Sequence, residues 1–215
     1  EKADLRKELK VEAGDFVFVF VGRLVGDKGI NELVRAFTRL KTRTDRRVKL
    51  VLVGPEEREL DPLEGEVDEM MHGDEAIAVV GFRQDVRPYF GISDALVFPS
   101  YREGFPNVVM QAGAMGLPAI VSDINGCNEI IIPNTNGLIV PPKDEATLEE
   151  AMKELAEDGE LYRRLQQNAR RLITERYEQG VVWEAVRGEY LGRNRPFGFA
   201  QGGGNRPFGF AQGSS

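Results

Sequence analysis

One carboxylate sits where it could do chemistry. Glu103 occupies a polar turn, Ser100-Tyr101-Arg102-Glu103-Gly104-Phe105-Pro106, immediately before the helix-patterned run Asn107-Val108-Val109-Met110-Gln111-Ala112. A helix start presents unpaired N–H groups and the positive end of its dipole, which attract anions. A carboxylate accepts hydrogen bonds from hydroxyls. Side by side, the two suit a phosphorylated sugar. The plainer reading of Glu103 is a charge that merely complements the dipole. A second group, Gly22-Arg23-Leu24-Val25-Gly26-Asp27-Lys28-Gly29, sets two cations five residues apart across a glycine-rich turn between a strand and a helix. That order of elements is used to hold phosphates. Its spacing fits neither the dinucleotide fingerprint nor the P-loop, which needs a closing Gly-Lys-Ser/Thr. Two solvated loop charges remain the alternative there.

These groups need a frame to position them. Phe16-Val17-Phe18-Val19-Phe20-Val21 is apolar throughout, the habit of a central parallel strand buried on both faces. The helix that follows carries Ile30, Leu33, Val34, Phe37 and Leu40 on one face. Further strands are expected over 48–53, 76–80, 95–98, 119–122 and 138–140. Residues 56–71 read as an irregular helix with Leu60, Leu63, Val67 and Met70 inward, weakened by Pro62 and Gly65. A short helix is expected over 86–92, a polar loop over 123–128, and helices from 143, from 161 to 177 and from 181 to 191. Alternating strands and helices predict an α/β fold: a Rossmann-like, doubly wound parallel sheet of about six strands with helices on both faces. Residues 1–14 form a linker or edge helix and 15–191 a single domain. The tail, 192–215, stands apart, because residues 194–202 recur unchanged as 205–213. A repeat so rich in Gly and Pro has no amphipathic period and cannot pack a core. It is read as an added or low-complexity segment, with a docking Arg/Phe peptide as the rival.

The totals exclude several classes. With 28 Lys and Arg against 35 Asp and Glu, the net charge of −7 argues against a nucleic-acid binder, which needs clustered cations. Cys127 is the sole cysteine, so no intrachain disulfide forms, and a reducing compartment fits. No apolar run approaches the roughly 18 residues of a membrane span, and the charged start is no signal peptide. A cytoplasmic domain is expected. His72 is the sole histidine and lies in a polar, acidic stretch. It is expected at the surface, leaving no His/Cys cluster for zinc.

Gly22-Arg23…Lys28-Gly29, Gly81-Phe82-Arg83 and Glu103…Gln111 all fall at carboxyl ends of expected parallel strands, where open α/β sheets bind ligands. Together with Gly116-Leu117-Pro118 and Asn136-Gly137-Leu138-Ile139-Val140-Pro141-Pro142, they resemble the C-terminal half of retaining glycosyltransferases of GT-B fold. The likeness is to the bacterial group 1 family that builds capsular, O-antigen and other surface polysaccharides, over residues 15–191. The resemblance implies that this half binds a nucleotide-diphospho-sugar, with a UDP-sugar expected. Arg23 and Lys28 would grip the diphosphate, with backbone N–H groups of Asn107 and Val108 at the helix end. Glu103 would act as the catalytic carboxylate, accepting from hydroxyls of the transferred sugar beside Gly104 and Phe105. Gly81, Phe82, Arg83 and Gln111 would hold the nucleoside.

The family pattern is a Glu, seven residues, then a second Glu on the ribose; this chain has Gln111 there. Gln offers one acceptor and one donor where a carboxylate accepts twice, so weaker ribose binding is expected. A helix-surface role beside the site is the alternative for Gln111. The chain has no Asp-x-Asp, and no metal or cofactor is expected. The resemblance also implies that an acceptor-binding half precedes this chain and takes the glycan or lipid-linked acceptor. The chain alone should then bind donor without transferring it. Peripheral inner-membrane association of the full enzyme is compatible with that picture. So is self-association through Trp183, Val186 and Tyr190, which the other half would cover. Half of a GT-B nucleotide-sugar epimerase, or a non-catalytic nucleotide-binding module, are the competing readings.

Overall fold

The computed structural model describes residues 2–57, 59 and 61–177. Its strands are β1 (Phe16–Val21), β2 (Val48–Val53), β3 (Ile77–Gly81), β4 (Ala95–Phe98), β5 (Ala119–Ser122) and β6 (Gly137–Val140). They form one sheet in the order β3-β2-β1-β4-β5-β6, and every neighbouring pair is parallel. The helices are α1 (Lys2–Glu8), α2 (Ile30–Arg43), α3 (Gly65–Gly73), α4 (Arg87–Ile92), α5 (Asn107–Ala114), α6 (Cys127–Ile130), α7 (Glu145–Glu157) and α8 (Gly159–Tyr177). The chain builds outward from β1 to β3, then returns across the sheet to β4 on the other side of β1. Right-handed crossovers in opposite directions place helices on both faces. The expected doubly wound α/β sheet is the observed fold.

β1 is central because its side chains allow nothing else. Phe16, Val17, Phe18, Val19 and Phe20 are fully buried, and each such side chain contributes about 1.5–3 kcal/mol over exposure. Phe20 stacks on Phe98 of β4, centroids 5.8 Å apart and planes at 16°, directly beneath the carboxyl edge. The buried carboxylate of Glu149 ties α7 to α2, taking Arg39 Nε at 2.9 Å and Arg43 Nη1 at 2.5 Å. At the other side of the molecule α1 packs on α4, and Arg6 Nη1 donates to the Ile92 carbonyl at 3.3 Å.

Two expectations need correction. Residues 56–71 are not one irregular helix; α3 begins only at Gly65, and Val67 and Met71 are its buried residues. The preceding stretch spends its hydrogen bonds on the β1–α2 loop instead. Leu24 and Glu56 form an isolated parallel bridge, and the Asp27 N–H donates to Asp61 Oδ2 at 2.5 Å. Pro62 cannot donate and disfavours a helical Asp61. Leu60, expected inward, lies outside the described residues. The expected polar loop 123–128 turns into α6 at Cys127. The third C-terminal helix, with Trp183, Val186 and Tyr190, and the duplicated tail also lie outside the described residues.

One glycine fixes the loop between β1 and α2. Gly29 has φ 71°, and a Cβ there would run into the Pro99 carbonyl after β4. Gly116 has φ 86° with open space around it. Left-handed backbone costs a non-glycine residue about 1–2 kcal/mol. Gly116→Ala should therefore destabilise by that amount alone. Gly29→Ala should destabilise by more than Gly116→Ala, because the backbone must also part. Urea denaturation of the two variants checks the order.

Candidate functional site

The carboxyl edge at the β1/β4 switch point gathers most of the residues singled out above. A single 3₁₀ turn, Gly26–Lys28, lifts Lys28 out of the β1–α2 loop. The Tyr101 N–H donates to the Asp27 carbonyl at 2.9 Å, locking that loop to the one after β4. Lys28 Nζ then meets Glu103 Oε1 at 2.5 Å, with side-chain exposures of 15% and 17%. The Ser100 hydroxyl donates to the same oxygen at 2.8 Å. From the other flank the β5–α6 loop presses on the turn: Gly126 (φ 80°) lies so close to the Gly104 carbonyl and Pro106 that no side chain would fit. Three crossover loops thus converge on one carboxylate.

Arg23 stands on the same edge, half exposed, with Nη1 3.0 Å from Glu57 Oε2. The Glu57 carboxylate, chiefly through that hydrogen bond, raises the Arg23 pKa, and the charges of Asp27 and Glu103 add to the effect. Both cations expected to hold phosphate are therefore already matched by carboxylates, Arg23 by Glu57 and Lys28 by Glu103. Arg102 lies 3.6 Å from Asp27 beside them. α5 opens at Asn107 after Pro106 with no side-chain cap, so its leading N–H groups, those of Asn107 and Val108, face the turn that holds Glu103. The Phe105 ring packs edge-on against Tyr177 with centroids 5.7 Å apart.

The nucleoside group divides. Gly81 accepts from the Gly54 N–H at 3.0 Å, and Phe82 is 69% exposed at the open edge. Arg83 is spent on its own loop, donating to the Tyr89 hydroxyl at 2.9 Å and the Phe82 carbonyl at 3.0 Å. Gln111, exposed on α5, lines a cavity of about 590 Å³ with Gln84, Asp85, Arg87 and Met115. The helix brings Gln111 beside the β3–α4 loop while leaving it exposed on the helix surface, an arrangement that fits both its nucleoside role and its alternative.

Sequence reasoning missed three residues at this edge: Ser100 and Cys127 beside the Lys28–Glu103 pair, and Glu57 on Arg23. Cys127 is fully buried, and its thiol is pushed up to about 12, first by burial and then by the Glu103 charge, with Lys28 opposing. Only the Ser100 position, one short polar residue three before Glu103, carried a signal that could have found it.

His72 is exposed, as expected, but it is not isolated. Glu56, Asp68 and His72 bring potential ligand atoms within 4.8 Å of one another. Nδ1 lies 2.9 Å from the Asp68 carbonyl and Nε2 3.4 Å from Glu56 Oε1. The lone histidine thus has carboxylate neighbours that no spacing in the sequence announced. Among the described residues no helix is long and apolar enough to cross a membrane.

A six-stranded parallel sheet in this order, with two cations and a carboxylate at its switch point, defines a Rossmann-like α/β domain of the GT-B type. Residues 1–172 match the family described as Glycosyl transferases group 1, and the chain belongs to that family. It is 27% identical over 180 residues to the capsular polysaccharide biosynthesis glycosyltransferase CapM of Staphylococcus aureus, covering 82% of this chain and 46% of that protein. Among solved structures it superposes on sucrose-phosphate synthase from Thermosynechococcus elongatus with a TM-score of 0.71 and 30% identity, covering 89% of this chain and 48% of that one. Anabaena Alr3699/HepE in complex with UDP shares the fold at a TM-score of 0.74 and 23% identity, over 89% of this chain and 52% of its own. The chain spans about half the length of the curated relatives it matches.

The His72 environment makes a prediction. Its pKa is raised from an ordinary 6.5, chiefly by the Asp68 carbonyl, with the Glu56 and Asp68 charges adding and burial opposing. A raised folded value means that its contribution to stability is complete below the unfolded value and disappears as pH rises through the folded one. As the only histidine, His72 gives a single imidazole titration by NMR, with its midpoint above 6.5. His72→Asn should lower the unfolding midpoint at pH 6, and that effect should fade as pH rises through the folded pKa above 6.5.

Proposed function

We propose that this domain binds a nucleotide-diphospho-sugar, a UDP-sugar in the first instance, as the donor half of a retaining glycosyltransferase. One observation carries the reading: Lys28 and Glu103, from loops after different strands, meet at 2.5 Å beside the uncapped start of α5, with Arg23 on the same edge. Arg23 forks across diphosphate oxygens in exchange for Glu57, and Lys28 supplies a mobile point charge. Glu103 accepts hydroxyl hydrogen bonds from the sugar. Backbone N–H groups of Asn107 and Val108 meet phosphate, and the Gly104-Phe105 backbone meets the sugar. Phe82 offers a face to the base, with Gly81 and Arg83 shaping its loop, and Gln111 takes the ribose. The HepE structure with UDP supports a uridine nucleotide on this fold.

When the sugar–phosphate bond breaks, negative charge builds on the departing UDP. Two cations and a helix start aimed at the diphosphate stabilise that charge more than they stabilise the ground state. No residue of this chain is needed as a metal ligand for that step, and the reading is metal-independent. The full enzyme transfers a hexose to a growing glycan or lipid-linked acceptor in surface polysaccharide synthesis, as the likeness to CapM suggests. It works in the cytoplasm, with the acceptor held by a separate half. The domain alone binds donor and does not turn it over.

Titration calorimetry with UDP tests the site. A hydrogen bond to a charged group contributes about 1.5–3 kcal/mol. Arg23→Ala and Lys28→Ala should therefore each weaken UDP binding by about 10- to 150-fold. No heat with the wild-type chain, or variants indistinguishable from it, would remove the proposal. Gln111→Glu restores a carboxylate opposite the ribose hydroxyls, so UDP affinity should hold or rise up to about tenfold. A large loss would take Gln111 out of the nucleoside site.

A further inference from the structure

Glu103 is held by two donors that behave very differently once a phosphate arrives. Lys28 is an ammonium on a flexible four-carbon stem, and a diphosphate competes for it directly. Ser100 is a short rotor with no exposed surface, set just beyond β4. Its hydroxyl has one proton and three acceptors in range: Glu103 Oε1 at 2.8 Å, the Arg102 carbonyl at 3.2 Å and the Asp27 carbonyl at 3.5 Å. The charged and nearest acceptor wins that proton. Both Lys28 and Ser100 sit on Oε1. Among the described residues no donor is recorded on Oε2.

We propose that Ser100 is the positioning residue of Glu103: it grips Oε1 and turns Oε2 towards the sugar, and it keeps that grip when Lys28 shifts to phosphate. The role rests on the donor-binding reading above and adds a division of labour within it. Lys28 reports the diphosphate to Glu103, and Ser100 keeps the carboxylate aimed at the hexose whatever Lys28 does. The backbone that carries Ser100 is itself fixed, since the next residue, Tyr101, donates to the Asp27 carbonyl in the Lys28 loop. The Tyr101 hydroxyl reaches Glu32 on α2 at 2.6 Å. Ser100 touches no substrate in this scheme and acts only through Glu103.

Calorimetry of the whole chain separates this role from general damage. UDP and a panel of UDP-glucose, UDP-galactose and UDP-N-acetylglucosamine are titrated into wild type, Ser100→Ala, Glu103→Gln and the double variant. Ser100→Ala should hold UDP affinity within about twofold and lower the UDP-hexose affinity relative to UDP by about five- to tenfold, the worth of one hydrogen bond near 1–1.4 kcal/mol. The double variant should be no worse than Glu103→Gln alone. Ser100→Cys keeps the volume and a weaker donor and should fall between. Equal loss of UDP and UDP-hexose, an unchanged ratio, or losses that add to those of Glu103→Gln would overturn the positioning role while leaving donor binding intact. UDP binding that survives with a ratio insensitive to Glu103→Gln would remove both residues from the sugar. A wild-type chain that fails to bind UDP overturns the donor reading itself, and this inference with it.

Discussion

A parallel sheet cannot be closed by hairpins, so every strand here must be followed by a crossover that carries the chain back to the start of the next. All six carboxyl ends therefore lie on one edge, and all the loops that need not pack against helices collect there. Because the strand order reverses between β1 and β4, the loops at that point diverge on opposite faces and leave a crevice. Everything chemical in this domain follows from filling that crevice with residues from non-adjacent parts of the chain. Lys28 and Glu103 are 75 residues apart in sequence and 2.5 Å apart in space.

The edge is built from matched charges, not from a surplus of positive ones. Arg23 pairs with Glu57 and Lys28 with Glu103 along this edge, in a chain whose net charge is −7. Such pairs are partly desolvated, and their attraction contends with the water they exclude. On the donor-binding proposal, a diphosphate would replace one acceptor by another, so its affinity would be the difference between two good partners. On the same proposal, selectivity follows for a group that also presents hydroxyls to Glu103, because simple anions would satisfy only the cations.

The strands were legible because burial on both faces leaves an unbroken apolar run, and β1 is the clearest case. The likeness of Glu103, Arg23 and Lys28 to a known family was readable from residue types and gaps alone. Residues 56–71 were not, because the apolar spacing there reflects a segment bonded to the β1–α2 loop through Glu56 and Asp61 before any helix begins. Local pattern cannot reveal a partner as far upstream as Asp27 is from Asp61, 34 residues. Ser100, Glu57 and Cys127 were overlooked for a related reason. A serine, an acidic loop residue and a lone cysteine carry no periodic signal, and their meaning appears only when separate crossovers bring Ser100 and Cys127 to Glu103 and Glu57 to Arg23. His72 shows the converse: its exposure was readable from polarity, but its neighbours Glu56 and Asp68 were not.

Cys127 carries a further consequence. Its thiol is held far into the alkaline range in the folded protein, by burial and by the Glu103 charge, whereas thiolate is the form that reacts with alkylating and oxidising agents. In the folded protein this sulfur is buried and held mostly as the thiol. Any event that opens the β5–α6 loop from the Gly104–Pro106 turn exposes the sole cysteine of the chain and returns it to ordinary reactivity. The domain thereby contains its own clock for that motion, and the rate of single-site thiol labelling reads how often the Glu103 turn and the β5–α6 loop come apart.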